Sequence, residues 1–146
     1  MRRYLLLLGL TWAVVFSGEC RAQQPDYIGK PVRGIPVSSA VKVGKFVFVS
    51  GTPGYKDGKL AIGDFSAQMK QAMENIAGTL KAAGTGWDRV VKTNVFLVRR
   101  EDFDDMNRIY AAYFPDGKYP GRTTVVVAGL PSPDFLLEIE CEAVLE

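Results

Sequence analysis

The sequence predicts a single α+β domain built on one mixed sheet. Short apolar runs rich in β-branched and aromatic residues, which are typical of strands, alternate with two longer segments that have helical spacing. Their order along the chain is β-β-α-β-α-β-β, with no internal repeat, low-complexity tract or linker. Because two helices can cover only one face of such a sheet, we expect a partner subunit to cover the other face.

Glycine and turn residues indicate the first strands. Residues 45–50 (KFVFVS) are a short apolar and aromatic run between Gly44 and Gly51, which predicts a strand that is buried on both faces. Residues 56–59 (KDGK) have the composition of a hairpin turn, and residues 59–62 are its predicted return strand.

Two segments have the spacing of amphipathic helices. Asp64 is a suitable N-cap for a helix that runs to about Ala83, and Gly84 is suited to end it. A strand with alternating apolar residues is predicted over residues 87–98. The acidic pair at 101–102 is predicted to open the second helix, since carboxylates are favourable at the positive end of a helix.

The last two strands carry polar side chains that are candidates for a site. On the segment 120–127, period-2 geometry puts Arg122 and Thr124 on one face. On the last strand, Glu138 lies on the face opposite to the apolar residues. If the apolar faces of both strands pack on the core, Arg122 and Glu138 come out on the same side of the sheet. An arginine beside a carboxylate there can form a site for a small carboxylic acid, or a cross-strand ion pair with no chemical role.

The N-terminal residues are typical of an export signal. An arginine pair is followed by an apolar stretch, which predicts a signal peptide over residues 1–22 with cleavage after Ala22. The apolar stretch is too short for a membrane span, and lipidation of Cys20 is the alternative. We therefore expect an exported protein, periplasmic or secreted, with an extended arm at 23–40 and the domain at 41–146.

The composition excludes several classes of function. Of the 18 basic and 16 acidic residues, three basic and one acidic residue belong to the predicted signal, so the remaining chain is neutral. A neutral domain lacks the clustered positive charge of a nucleic-acid-binding protein. Histidine is absent, which rules out Ser-His-Asp and Cys-His catalysis and any His-ligated metal site. No metal or cofactor is expected.

Four segments together resemble the RidA (YjgF) family of enamine/imine deaminases. They are the run 48–51 (FVSG), the run 91–96 (VKTNVF), the helix segment 102–110 and the final pair of strands. The resemblance extends from about Gly34 to Val144, in the family's order and spacing. It implies a chorismate-mutase-like α+β fold with two helices on one face of the sheet. It also implies a homotrimer with sites in the clefts between subunits, and chemistry without a cofactor.

The resemblance also implies roles for individual residues. Arg122 falls on the arginine that holds the substrate carboxylate, and Glu138 on the glutamate that positions the hydrolytic water. Ser50 and Gly51 fall on a strand end that lines the substrate pocket, and Asn107 on a helix residue near it. The expected substrates are small reactive 2-imino or enamine acids, which hydrolysis converts to 2-oxo acid and ammonia.

Two departures from the family's pattern affect the predicted pocket. Val37 stands where many members have a tyrosine, and Thr124 stands where many deaminases have a cysteine. Both residues are expected to line the substrate pocket and to influence substrate choice. The alternative function is a non-catalytic trimer that binds a small carboxylate. The ribonuclease activity ascribed to some family members is disfavoured by the neutral charge and the absence of histidine.

Overall fold

The computed structural model describes residues 23–29 and 34–146. The predicted signal peptide, residues 1–22, lies outside the described residues. The predicted elements follow in the predicted order, with three short strands added: one in the arm, one just before the first predicted strand and one before the hairpin turn. The elements are β1 (Asp26–Ile28), β2 (Ala40–Val43), β3 (Phe46–Pro53), β4 (Tyr55–Lys56), β5 (Lys59–Leu60), α1 (Phe65–Ala83), β6 (Val90–Leu97), α2 (Phe103–Ala111), β7 (Gly121–Val126) and β8 (Leu137–Val144).

Six strands form one mixed sheet in the order β1-β2-β3-β8-β6-β7. Neighbouring strands are antiparallel except β6 and β7, which run parallel. Strand β7 stands last in the order, so it is an edge strand. A hairpin of β4 and β5 forms a separate two-stranded sheet. The α+β architecture is therefore confirmed, with the final strand of the chain at the centre of the sheet.

Helix α1 forms as its end signals predict. The Asp64 carboxylate accepts a hydrogen bond from the Ala67 N–H at 2.9 Å, and Gly84 ends the helix in the left-handed conformation, with φ of 88°. The buried side chains of α1 pack on one face of the sheet together with those of α2. Among the largest fully buried side chains are Met69, Met73, Ile76, Leu80, Leu97, Met106, Leu137 and Ile139.

Three local predictions are corrected. The third long strand begins at Val90, because residues 87–89 form a 3-10 turn instead. The hairpin's return strand ends at Leu60, two residues early. Strand β3 is not buried on both faces: its valines are buried, but Phe46 and Phe48 are 53% and 45% exposed. The aromatic residues of β3 therefore lie on the sheet face that the helices leave open.

The predicted placement of Arg122 and Glu138 on the same side is wrong. Thr93 of β6 is the register partner of both Arg122 and Cys141, so these three side chains share the helix-covered face. Phe96 pairs with Glu138, which places Glu138 on the open face. The prediction failed because β7 has valines on both faces, so its apolar pattern does not reveal which face packs on the core.

No helix in the described part of the chain is long and apolar enough to cross a membrane.

Candidate functional site

Arg122 is held at the edge of the sheet by residues of helix α2. Its Nη2 donates a hydrogen bond to the Asn107 side-chain oxygen at 2.6 Å, and its Nη1 lies 3.6 Å from the Met106 sulfur. Its guanidinium carbon lies 4.9 Å from the centre of the Tyr110 ring. Within residues 23–29 and 34–146, no carboxylate forms an ion pair with this half-buried side chain. Its positive charge therefore remains available to an anionic ligand.

The Tyr110 ring that faces Arg122 is itself fixed by a buried hydrogen bond. Its hydroxyl lies 2.8 Å from the Thr93 hydroxyl, which belongs to the adjacent strand β6. Burial raises the pKa of Tyr110, while the Thr93 hydrogen bond and the Arg122 charge act in the opposite direction. The tyrosine is therefore a neutral aromatic support for the arginine at physiological pH.

A groove lies on the helix-covered side of β7, at Thr124 and Val126. It has a volume of about 700 Å³ and is lined by Arg100, Glu101, Phe103, Asp104, Thr124 and Val126. Thr124 lies two residues beyond Arg122 on the same face, about 7 Å along the strand. Its hydroxyl oxygen is buried and has no hydrogen-bond partner among the described residues. The groove therefore borders the strand face that carries Arg122, and the buried Thr124 hydroxyl lies beneath its wall.

Glu138 lies on the other face of the sheet, against Gly51 of strand β3. A Cβ atom added to Gly51 would overlap the Glu138 carboxylate, so the missing side chain is what makes room for it. A β-bulge between Val49 and Thr52 takes Gly51 out of the regular ladder. Burial, and then the nearby negative charge of Glu140, raise the pKa of Glu138 above its ordinary value of 4.5.

Ser50 and Val37 have different surroundings. The Ser50 hydroxyl donates to the Ser38 carbonyl at 2.7 Å, so it ties the predicted arm to β3. Val37 is 43% exposed and precedes β2. The structure thus pairs Gly51 with Glu138 and Asn107 with Arg122, but within one chain it keeps these two pairs on opposite faces.

The loop that leads into β8 is anchored by Gln68 of helix α1. Its side-chain nitrogen donates to the carbonyls of Ala61 and Asp134 at 2.9 and 3.0 Å. Its side-chain oxygen accepts from the Leu136 N–H at 3.0 Å. Since Leu136 precedes Glu138 by two residues, Gln68 supports the position of this carboxylate. No local sequence signal marks Gln68, Thr93 or the contact of Tyr110 with the arginine, because each depends on contacts between elements far apart in the chain.

We expect Gly51→Ala to impair function more than stability. The added methyl group would force the Glu138 carboxylate aside, and displacements near 1 Å in an active site can cost about 100-fold in rate. The measurement is the rate of substrate turnover together with the thermal midpoint of unfolding. Gly78→Ala is the matched control, because a Cβ atom there meets nothing within 4 Å. A Gly51→Ala protein with wild-type turnover would contradict a role for the Glu138 position.

Curated relatives match most of the chain. The mouse protein named 2-iminobutanoate/2-iminopropanoate deaminase is 40% identical over 111 residues, which cover 75% of this chain and 81% of that protein. The mitochondrial protein mmf2 of Schizosaccharomyces pombe is 39% identical over 112 residues, covering 75% of this chain and 88% of that protein.

The mitochondrial relative contradicts the prediction of a secreted or periplasmic protein. The compartment named for the fission-yeast relative is the mitochondrion, which is not an exported location. The signal that motivated the prediction falls on residues 1–22, outside the described residues. The expectation of secretion is therefore withdrawn.

The solved structures and the family model agree with the relatives. The crystal structure of the YjgF gene product from E. coli matches with a TM-score of 0.73 at 33% identity, covering 79% of this chain and 91% of that chain. The family model described as Endoribonuclease L-PSP matches residues 30–145. This chain belongs to the RidA (YjgF) family by its sequence, its fold and the order of its elements, and the Endoribonuclease L-PSP model describes that same family.

Proposed function

We propose that this protein is a hydrolytic deaminase of small reactive 2-imino and enamine acids. The observation that carries the proposal is the half-buried Arg122, which is held by Asn107 and Tyr110 and has no acidic partner among the described residues. Support comes from a mouse relative at 40% identity that is named a deaminase of 2-iminobutanoate and 2-iminopropanoate. The reaction adds water to the C=N carbon of the substrate and releases a 2-oxo acid and ammonia.

Arg122 supplies the recognition of the substrate. A guanidinium has five N–H donors in a planar fork that matches a carboxylate. Its contacts with Asn107 and the Met106 sulfur engage only part of this set, so donors remain for the substrate. A fixed carboxylate places the adjacent imine carbon at a defined point relative to the groove, which is the positioning that the reaction needs.

Glu138 supplies the proton transfers. As a carboxylate it accepts a proton from the attacking water, whose oxygen bonds to the imine carbon, and it passes that proton to the nitrogen as the C=N π bond breaks. In the resulting tetrahedral carbinolamine, Glu138 takes the hydroxyl proton and delivers it to the nitrogen, so that the C=O bond forms, the C–N bond breaks and ammonia leaves. The raised pKa of Glu138 suits this exchange, because an acid–base group works best when its pKa is near the working pH.

Arg122 and Glu138 can act on one substrate molecule only if they come from two different chains. Arg122 and Glu138 lie on opposite faces of the sheet, so a single chain cannot present both to the same small molecule. The open face also exposes the aromatic rings of Phe46 and Phe48. We propose a homotrimer in which Arg122 of one subunit and Glu138 of a neighbouring subunit face the same cleft.

The first test measures release of ammonia and 2-oxo acid from freshly generated 2-iminopropanoate and 2-iminobutanoate. We expect the wild type to exceed the buffer rate and Arg122→Ala to fall to it, since loss of a charged anchor removes both affinity and orientation. Equal rates for wild type, variant and buffer would rule out deamination of these substrates. Retained binding of 2-oxobutanoate in that case would favour the non-catalytic carboxylate-binding trimer.

A mixture of two inactive variants tests the shared cleft. Arg122→Ala and Glu138→Gln chains, unfolded and refolded together in equal amounts, should recover about a quarter of the wild-type rate, because each site draws its arginine and glutamate from two independently chosen chains. If both groups came from the same chain, no site in the mixture would be complete. A mixture as inactive as its two components would therefore contradict the arrangement between subunits.

A further inference from the structure

Two side chains of helix α2 flank the Arg122 guanidinium, one along its edge and one across its face. Asn107 accepts a hydrogen bond at 2.6 Å, and the Tyr110 ring lies 4.9 Å from the guanidinium carbon. We propose that Asn107 and Tyr110 are positioning residues that fix Arg122 for carboxylate binding without neutralising its charge. The inference rests on the proposed role of Arg122 as the carboxylate anchor.

The Tyr110 ring is held at both of its ends. Its distance from the guanidinium is within the range of about 6 Å over which an aromatic face attracts a cation. Its hydroxyl bonds to Thr93, which is fully buried, and the Phe114 ring packs 4.9 Å away. Since Thr93 is also the register partner of Arg122 in the neighbouring strand, the tyrosine spans from its helix to the strand beside the arginine. Movement of the ring would therefore break contacts on both elements.

Asn107 is suited to this task because it is neutral. Arginine has only donors, so the amide oxygen must be the atom that faces it. An amide oxygen orders the guanidinium but leaves its charge for the substrate, whereas a carboxylate at this distance would form an ion pair and compete with the substrate. Asn107 and Tyr110 are three residues apart on α2, which places both on the same helix face. Fixing a long side chain before binding also lowers the entropy cost of binding.

Asn107→Asp provides the sharpest test. We expect the KM for 2-iminobutanoate to rise about tenfold or more. The introduced carboxylate would form a charge-assisted ion pair with the Arg122 guanidinium and so compete with the substrate carboxylate. The thermal midpoint should stay level or rise, since the same pair forms within the folded protein. A merely structural asparagine would show affinity and stability changing in the same direction. A KM close to that of the wild type would overturn the proposal for Asn107.

Tyr110 is tested by Tyr110→Leu and by the milder Thr93→Val, which removes only the hydroxyl partner. Nitrogen-15 relaxation of the Arg122 Nε–H group reports its order directly, and we expect that order to fall in both variants. The control is Tyr113→Phe. It removes a hydroxyl that lies one turn after Tyr110 and bonds to Glu74, so the order of the Arg122 side chain should stay unchanged. Unchanged order in Thr93→Val and Tyr110→Leu would overturn the role of Tyr110.

These readouts separate the inference from the function it rests on. A wild type without turnover would overturn the proposed function, while the relaxation of Arg122 would still decide whether its neighbours position it. If the wild type is active but none of these substitutions changes the order of the Arg122 side chain or the KM, the proposed function stands and the inference is overturned.

Discussion

Replacement of Glu138 by Gln is expected to lower kcat by about 10²–10⁴-fold, the usual contribution of general acid–base catalysis. Glutamine has nearly the same shape and still fits above Gly51, but it cannot accept and return a proton. Substrate binding through Arg122 should change little, because the substitution leaves the guanidinium and its contacts with Asn107 and Tyr110 unchanged. The measurement is a full kinetic series on 2-iminobutanoate. An equal loss through KM with unchanged kcat would contradict the role of Glu138 in proton transfer.

The same substitution is expected to leave the protein as stable or more stable at neutral pH. Burial raises the pKa of Glu138 in the folded state above the value of 4.5 that applies to an exposed glutamate, so the folded protein binds this proton more tightly than the unfolded chain. The stability of the wild type relative to Glu138→Gln is therefore highest at low pH. It falls as the pH rises from 4.5 through the raised pKa.

Urea unfolding at a series of pH values checks this difference between the two proteins. The free energies of unfolding of the two proteins, plotted against pH, should lie close together in acid. They should separate as the pH rises from 4.5 through the raised pKa, and above it the glutamine variant should be the more stable protein. In the same window the wild-type turnover should rise with pH, because the carboxylate form accepts the proton from water. A glutamine variant that is less stable at neutral pH would show that the charged form of Glu138 is stabilised by the fold, contrary to this prediction.

Gln68→Ala is expected to lower the free energy of unfolding by about 3 kcal/mol or more. Gln68 is fully buried, and its side chain satisfies the carbonyls of Ala61 and Asp134 and the N–H of Leu136. Truncation leaves these backbone groups unpaired in the interior and also opens a cavity. Since the loop ahead of β8 loses its attachment, kcat should fall as well. Urea denaturation at one fixed protein concentration, with wild type and variant side by side, measures the loss.

Gln71→Ala is the matched control for this prediction. Gln71 is a glutamine of the same helix, but its side chain is only partly buried and, among the described residues, donates only to the Asn75 side chain. Its truncation should cost less than about 1 kcal/mol, as expected for a single exchangeable hydrogen bond. Similar losses for the two variants would show that helix propensity, rather than the buried hydrogen bonds, explains the effect at Gln68.

The order of the elements and the ends of helix α1 were predictable because the signals are local. Periodicity depends on the backbone geometry of each element, and the Asp64 cap and the Gly84 stop act within one turn of the helix. The family resemblance rested on the same short runs, and it led to Arg122 and Glu138 as candidates. Glycine at position 51 was read only as a strand end, since its close approach to Glu138 depends on the pairing of β3 with β8.

The sequence by itself determined the two helices, the longer strands and their order, the family and the candidate residues, because each of these depends on residues close together in the chain. Only the tertiary structure decided that Arg122 faces the helices while Glu138 faces the open side of the sheet. That outcome depends on the register of three strands that are far apart in sequence, and a shift of one residue would reverse the faces. The contacts of Arg122 with Asn107 and Tyr110 depend in turn on how α2 packs beside the edge strand. No local pattern specifies that packing.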